Sequence, residues 1–486
     1  LQHDLVDLKL GKKYDCVIVG SGPNGLSAGI YLAQNGFEVL IVEAADSVGG
    51  GMRTAELTLP GFQHDVCSAV HPTGYLSPYF QQLKLESFGL EWVFPEISVA
   101  HPLDNEDAVL LSKSVIETAE GLGIDKNVYQ KLLTPLAKHA DWLLEDSLKP
   151  LGIPKHPIFL ALFGMKGALP ANLFANHFFK EKRAKALFAG CAAHSILPFD
   201  KLFTTALGLV FLTTGHAVNW PVAKGGTQTI AHALRNCFTA AGGEIELNNR
   251  VSSLAQLPES KVVIFDTDPY QMAAIVGEEF PSGYAKRLRK FNFGPGVFKI
   301  DYALNAPIPW KDPNCLKAST VHVGGTIEEI ANTEKEAWEG KLSEKPFVLV
   351  AQQSQFDNTR SPEGQHTCWA YCHVPNGSTV DMKHVIENQI ERFAPGFKDT
   401  ILSRHCMNTG QFYDYNPNYF GGAVTGGATD LTQLFTRPVA RLDPYSTPNP
   451  NIFICSASTP PGGGVHGMNG YHAAKSVGKR LRKFKC

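Results

Sequence analysis

The sequence predicts an α/β protein in which a discontinuous Rossmann-like nucleotide-binding domain is joined to an antiparallel-sheet domain and a helical insert. Three observations predict it. CVIVGSGPNG at 16–25, the returning run FEVLIV at 37–42 and the acid Glu43 spell a complete βαβ unit. Two more glycine turns that open helical patterns stand near the middle and the end of the chain, AKGGTQTIAHAL at 223–234 and TPPGGGVHGMNGYHAA at 459–474. Between them lie four alternating runs, VFKIDYAL at 297–304, STVHVGG at 319–325, FVLVAQQ at 347–353 and HTCWAYCHV at 366–374, which read as an antiparallel sheet.

Each element follows from its residues. The apolar strand at 16–19 enters a turn that Gly20 reverses. Gly22 removes the Cβ that would hold a pyrophosphate away, and Gly25 lets the new helix lie close on the sheet. Phosphates then face a helix N-terminus, whose unpaired N–H groups favour an anion. Leu26, Ile30 and Ala33 share a helix face, and Gly36 ends it. Glu43 stands where a carboxylate accepts both hydroxyls of an adenosine ribose, and an acid there argues against a 2′-phosphate, leaving NAD or FAD. VGGGMRT at 48–54 and GFQHDVCSAVHPTG at 61–74 read as ligand-facing loops. From 87 to 216 the chain reads as mainly helical and strongly apolar. A helix at 227–240, a strand at 244–247 and a buried strand in VVIFDTDP at 262–269 resume the nucleotide pattern. A helix at 383–393, a strand at 451–458 and a last glycine turn, its helix opening at Val465 or His466, complete the chain.

At 486 residues the chain exceeds what one core supports. With 44% hydrophobic and 19% charged residues it is globular. A net charge of −2 gives no electrostatic case for nucleic acid, and the basic tail at 479–486 reads as a solvated end. The ten cysteines lack a CxxC pair, which suits reduced thiols in a cytosol-like compartment and gives no metal site. Residues 1–13 carry no signal-peptide pattern. The apolar run at 202–223, interrupted by His216, Asn219 and Pro221, reads as a buried helix rather than a span. No nucleophile elbow, metal triad or Walker loop is present, which excludes hydrolase and kinase chemistry of those types.

Four blocks together, GSGPNG with Glu43, EAADSVGGGMRT at 43–54, GGTQTIAHAL through GGEIELNNRV at 225–251, and SASTPPGGGVHGMNGYHAA at 456–474, resemble the FAD-dependent amine oxidase and phytoene desaturase superfamily over nearly the whole length. The likeness is greatest to its phytoene-dehydrogenase-related branch. The resemblance implies a GR2-type FAD-binding domain in three parts, 14–86, 217–290 and 405–486, with a substrate domain formed by the helical insert at 87–216 and the sheet at 291–404. It implies FAD contacts from Gly20, Gly22, Pro23, Asn24 and Gly25 at the pyrophosphate, and from Glu43 and Ala44 at the ribose. Gly49, Gly50, Gly51, Met52 and Arg53 form the second glycine motif, and Val251 meets adenine through its backbone. His71, Gly463, Gly464, Val465 and Met468 face or cradle the flavin ring. Two departures stand out. Gly51 replaces the arginine usual after the double glycine, leaving its contact to Arg53, and Pro460 and Pro461 follow Thr459 where carotenoid desaturases often show histidine and proline.

The implied chemistry is hydride transfer from a substrate carbon to flavin N5, with the protein receiving any released proton. Lys299 is the first candidate for that role, since GVFKIDYALN resembles the amine-oxidase strand whose lysine holds a water near N5, where desolvation lowers its pKa. His466, in the terminal turn, is the second. His322, Tyr371 and His373 lie on sheet strands, and Trp369, Tyr371 and His373 share one face, either lining a channel or filling a core. The expected function is an FAD-dependent dehydrogenase or desaturase acting on a lipophilic substrate such as an isoprenoid. A second GxGxxG unit for a nicotinamide is missing, which favours dioxygen or a quinone as acceptor. The apolar insert walls a tunnel or leans on a membrane surface in this reading. The alternatives are an amine oxidase acting on a C–N bond, assisted by Lys299, and a flavin-binding protein whose FAD is structural.

Overall fold

The strand Tyr14–Val19 lies at the centre of a five-stranded sheet, in a computed structural model that describes residues 12–484. The order across the sheet is Ile452–Ile454, Ser260–Phe265, Tyr14–Val19, Val39–Val42 and Glu244–Glu246, and every pairing is parallel. A parallel sheet is stable only when both faces are covered, so its strands must be apolar on both. Cys16 and Ile18 pack on one side against the helices Pro23–Gln34, Gln228–Ala240 and Met468–Arg482, while Val17 and Val19 pack on the other against Pro269–Val276 and Ser282–Leu288. Each such side chain, fully buried, contributes roughly 1.5–3 kcal/mol. The chain visits this sheet at its beginning, middle and end.

A seven-stranded sheet forms the second layer. Its order is Ile401–Met407, Gly296–Leu304, His366–Val374, Val348–Ala351, Ala318–Val323, Ile97–Leu103 and Glu106–Ser112. All its pairings are antiparallel except that of Ala318–Val323 with Ile97–Leu103. Ile300, Val350, Ala370 and Cys372 face a core closed by the helix Lys383–Phe393. By strand alternation Lys299, Asp301, Trp369 and Tyr371 point to the opposite face.

The last two strands of this sheet depart from the helical reading of 87–216. Pro102 lacks a ladder N–H and sits in a register shift between His101 and Leu103, and Asn105, at φ +59°, turns a two-residue hairpin from Leu103 to Glu106. A β-branched, alternating ISVA at the start of the run carries the strand signal. The remainder of 87–216 is helical from Val115 to Val218 in separate helices, and Thr204–Val218 fills the core within the expected 202–223 run. The terminal helix begins at Met468 rather than at Val465 or His466, because Gly467 turns at φ +67° and His466 Nδ1 accepts the Met468 N–H at 3.1 Å. Most of residues 1–13, and Lys485 and Cys486 of the basic tail, lie outside the described residues.

Candidate functional site

Two cavities meet where the sheets face each other. The first, about 310 Å³, runs from the glycine turn to the mixed sheet, and the second, about 130 Å³, runs from the same turn over the end of the nucleotide sheet. Gly22, Gly50, Asp266, Asn416 and Asn418 line both.

The second cavity is formed by Gly20, Ser21 and Gly22 with Glu43, Ala44 and Ala45, and by Arg53, Val251 and Asn249. Glu43 is held firmly: Oε2 accepts Ser21 N–H at 2.9 Å and Ser21 Oγ–H at 2.6 Å, and Oε1 accepts Ala45 N–H at 2.9 Å. Arg53 stands 3.4 Å from the same carboxylate, donates to Ser47 O at 2.8 Å and stacks on Tyr415, but its buried Nε has no partner. An unpaired buried guanidinium donor is costly, and beside a glycine turn it suits an anionic group. A Cβ on Gly50 would come within 3.2 Å of Gly22 Cα, so the two glycine motifs touch. Gly25 lines neither cavity. Its missing Cβ would lie 2.1 Å from Gly20 O, so it closes the turn on itself. Gly51 meets Tyr419, whose hydroxyl fills the space a side chain there would need.

The first cavity carries Pro23, Asn24, His71, Gly464 and Val465 at one end. Its far wall is apolar and aromatic: Phe211, Trp220, Leu349, Trp369 and Tyr371. Thr227 Oγ1 donates its single proton to Ser68 O, so His71 Nε2 must donate to Thr227 Oγ1 across 3.1 Å, leaving Nδ1 as an acceptor. Burial pushes His71 down to about 4, so it is neutral at physiological pH. His194, on the same wall, is pushed by burial to about 3 and shares a hydrogen bond of 3.1 Å with His322.

Lys299 lines the first cavity, paired with Asp301 and 5.7 Å from the Trp369 ring. Burial pushes the Asp301 carboxyl up, but Lys299, His405 and His64 outweigh it and hold the group below its usual value. His466 lines neither cavity: its Nδ1 caps the terminal helix and its buried Nε2–H is unpartnered. Met52, Gly463 and Met468 also lie away from the cavity walls, Met52 and Met468 in the core beneath the turns and Gly463 against Thr425. His373 is bound to Glu334 at 2.7 Å. The structure therefore brings together Gly20, Gly22, Pro23, Asn24, Glu43, Ala44, Gly50, Gly51, Arg53, His71, Val251, Lys299, Gly464 and Val465, and sets the others behind them.

Two features of the site escape a reading of the sequence. Asp266 ends a buried strand next to the switch between sheet halves, where open α/β sheets bind ligands, and VVIFD carries that signal. Arg360, fully buried, binds Asp65 at 3.0 Å and Asp357 at 2.9 Å and ties the His64–Asp65 strand under the site. Asp65 is distant in sequence, and nothing local marks the pair. Among the described residues the nine cysteines are free, and no group of three or more His, Cys, Asp or Glu side chains could hold a metal ion.

Known proteins resemble this chain in sequence and in fold. Residues 18–83 match the model of an NAD(P)-binding Rossmann-like domain. The chain is 24% identical to pyridine nucleotide-disulfide oxidoreductase domain-containing protein 2 of Rattus norvegicus, with 98% of this chain and 95% of the relative covered. It is 22% identical to a 4,4'-diapophytoene desaturase of Methylomonas, covering 92% of each, and 22% identical to one polypeptide of the limonene dehydrogenase of Castellaniella defragrans, covering 97% and 95%. An oxidoreductase from Methanosarcina mazei shares the fold at a TM-score of 0.66 and 15% identity, covering 96% of this chain and 100% of its own. Putrescine oxidase shares it at 0.61 and 17%, covering 98% and 99%.

Proposed function

We propose that the chain belongs to the FAD-dependent amine oxidase and phytoene desaturase superfamily, and that this oxidoreductase binds FAD and dehydrogenates a lipophilic substrate, isoprenoid in type. The observation that carries the reading is the junction of the two cavities at Gly22 and Gly50: a glycine turn with a carboxylate and an unpaired arginine donor on one side, an apolar aromatic chamber on the other. The residues fit the dinucleotide. Gly22, Pro23 and Asn24 would meet its pyrophosphate, Arg53 Nε would find a partner, and Glu43, already oriented by Ser21 and Ala45, would accept from the ribose.

When bound, the flavin supplies a two-electron acceptor for a hydride. The chain's own residues do the rest. Phe211, Trp220 and Leu349 exclude water and take up an apolar substrate, and Trp369 and Tyr371 give flat faces for an unsaturated chain. Lys299 holds a proton at Nζ beside Asp301, at the boundary between the aromatic wall and the sheet. Dioxygen or a quinone serves as acceptor in this reading.

A route for a lipophilic substrate is supported by the insert. Leu151, Ile153, Ile158, Leu162 and Met165 are exposed, Ile153 at 94%, and the helices Pro157–Gly167 and Ala171–Phe178 form an apolar pair bent by 96°. Among the described residues no single helix is long and apolar enough to cross a membrane. A peripheral membrane contact through this patch is part of the proposal, and flotation with liposomes tests it.

Anaerobic incubation of the yellow protein with fractionated lipid extracts, followed by visible absorbance, tests the function: an isoprenoid fraction should bleach the flavin. C–N oxidation is the second reading, supported by Lys299 on the cavity wall. Bleaching by amines, with peroxide released in air, would replace the first reading by the second. Bleaching by dithionite alone, with every extract inert, would leave a structural flavin.

A further inference from the structure

The helix Pro23–Gln34 has Gly22 as its N-cap and proline at its first position, and no side chain of its own neighbourhood caps it. The acceptor comes from another strand. Asp266, just past Ser260–Phe265, reaches under the turn, and its Oδ2 accepts the Gly25 N–H at 2.8 Å. A Cβ on Gly22 would lie 2.7 Å from that oxygen and one on Gly25 3.0 Å from it, so the glycines leave room for this carboxyl as well as for a ligand. The Asp266 backbone is pinned by its N–H to Val19 O at 2.8 Å and by Asn418 Nδ2 to its carbonyl at 3.3 Å. It lines both cavities where they meet.

One helix N-terminus thus faces two anions, the carboxyl already there and the pyrophosphate of the proposed cofactor. Two like charges in a site shielded from water cannot both stay ionised without cost, and the weaker acid takes a proton. Resting on the FAD reading, we propose that Asp266 is protonated whenever the dinucleotide is bound, so that cofactor binding draws a proton onto this side chain.

Among the described residues no cation is bonded to Asp266 itself, and Arg53, whose Nε is the donor left for the pyrophosphate, is bonded to Glu43 and Ser47. Glu43, from the end of Val39–Val42, is the charged group acting on Asp266. Cys16 and Cys455, from the flanking strands, are buried thiols held above their ordinary range by burial and stay neutral. Asn416 and Asn418 are uncharged, Asp268 caps the helix that follows, and Lys299 across the chamber is paired with Asp301. Burial first and Glu43 second already raise the Asp266 carboxyl well above its usual value, against the Gly25 hydrogen bond that favours the charge.

Titration of apoprotein with FAD, followed by quenching of flavin fluorescence across a pH series, tests the proposal. Wild-type affinity should fall by up to about tenfold per pH unit once the free carboxyl ionises. Asp266→Asn keeps an oxygen for Gly25 N–H and should bind with little pH dependence. At a pH above the ionisation of the free carboxyl, where the affinity is already falling, calorimetry of the wild type in two buffers of different ionisation enthalpy should report up to about one proton taken up per FAD, and none for adenosine, which lacks the pyrophosphate. FAD binding without proton uptake, or an equal slope in Asp266→Asn, would overturn the inference while the flavin reading stands. Failure of both proteins to bind FAD at any pH would overturn the flavin reading and this inference with it. Should Asp266→Asn not fold, the wild-type calorimetry alone decides.

Discussion

The two sheets solve the problem of a buried interior in opposite ways. The parallel sheet is almost wholly apolar within, and its specificity lies in missing side chains: Gly25, Gly50 and Gly470 each permit a backbone approach that a Cβ would block, and Gly22 leaves room for the Asp266 carboxyl. The mixed sheet and the strands beneath it are held by buried charges and imidazoles: Lys299 with Asp301, Arg360 with Asp65 and Asp357, His373 with Glu334, and His64, His101 and His322, the last bonded to the half-buried His194. One region binds with its backbone and the other with its side chains. The first therefore tolerates no added atom, and the second no lost partner and no added proton.

Acid should separate them most. Burial lowers His64 and His101 to about 4 and His194 to about 3. The unfolded chain protonates these groups near pH 6.5 and the native one only near 4, so their stability is complete above 6.5 and lost as pH falls through that window, at roughly 1.4 kcal/mol per unit per group. The thermal midpoint, scanned from pH 7 to 4, should fall steeply. A flat profile would remove the histidines from the comparison.

Next in size is Arg360→Met. Removing one member of a buried ionic group leaves Asp65 and Asp357 uncompensated and costs about 3–5 kcal/mol, read by urea unfolding. Full stability in that variant would contradict the charge-held view of this region.

Gly470→Ala tests the backbone-held region. In an exposed helix the change gains stability, yet here the new Cβ would stand 1.8 Å from Asn24 O, a main-chain atom at the nucleotide turn. A loss of about 1–3 kcal/mol is expected, with weaker flavin retention. The ordinary gain, measured by thermal unfolding, would show that the helices Met468–Arg482 and Pro23–Gln34 do not pack this closely.

The smallest effect on folding belongs to Glu43→Ala, which removes an acceptor from Ser21 and Ala45 at the rim of the second cavity. FAD affinity should drop by about tenfold or more while the thermal midpoint of the apoprotein moves little. Full yellow colour after gel filtration would count against a ribose contact.

The same contrast governs what is legible in the sequence. The βαβ unit is local, so Gly20, Gly22, Gly25 and Glu43 mark it within one stretch, and the strand His366–Val374 and the helix Lys383–Phe393 follow from periodicity over their full length. The hairpin Ile97–Leu103 with Glu106–Ser112 passes for helix in the sequence because its apolar residues crowd both faces once it is buried in the sheet. Lys299 and Asp301 share a face by alternation and are readable as a pair. Arg360 with Asp65, and Asp266 with Gly25, join residues far apart in the chain, and only the fold brings them together.

The threading of the parallel sheet also fixes an order of events during synthesis. Tyr14–Val19 and Val39–Val42 leave the ribosome before both other domains, but Ile452–Ile454 and the helix against Pro23–Gln34 emerge only after them. At translation rates of about 5–20 residues per second, the first half of the nucleotide cleft waits on the order of tens of seconds for its last wall. A nascent chain stalled before that point would display a half-built cleft with one helix flank bare, a surface for chaperones to cover, and cofactor capture would then mark the arrival of that last wall.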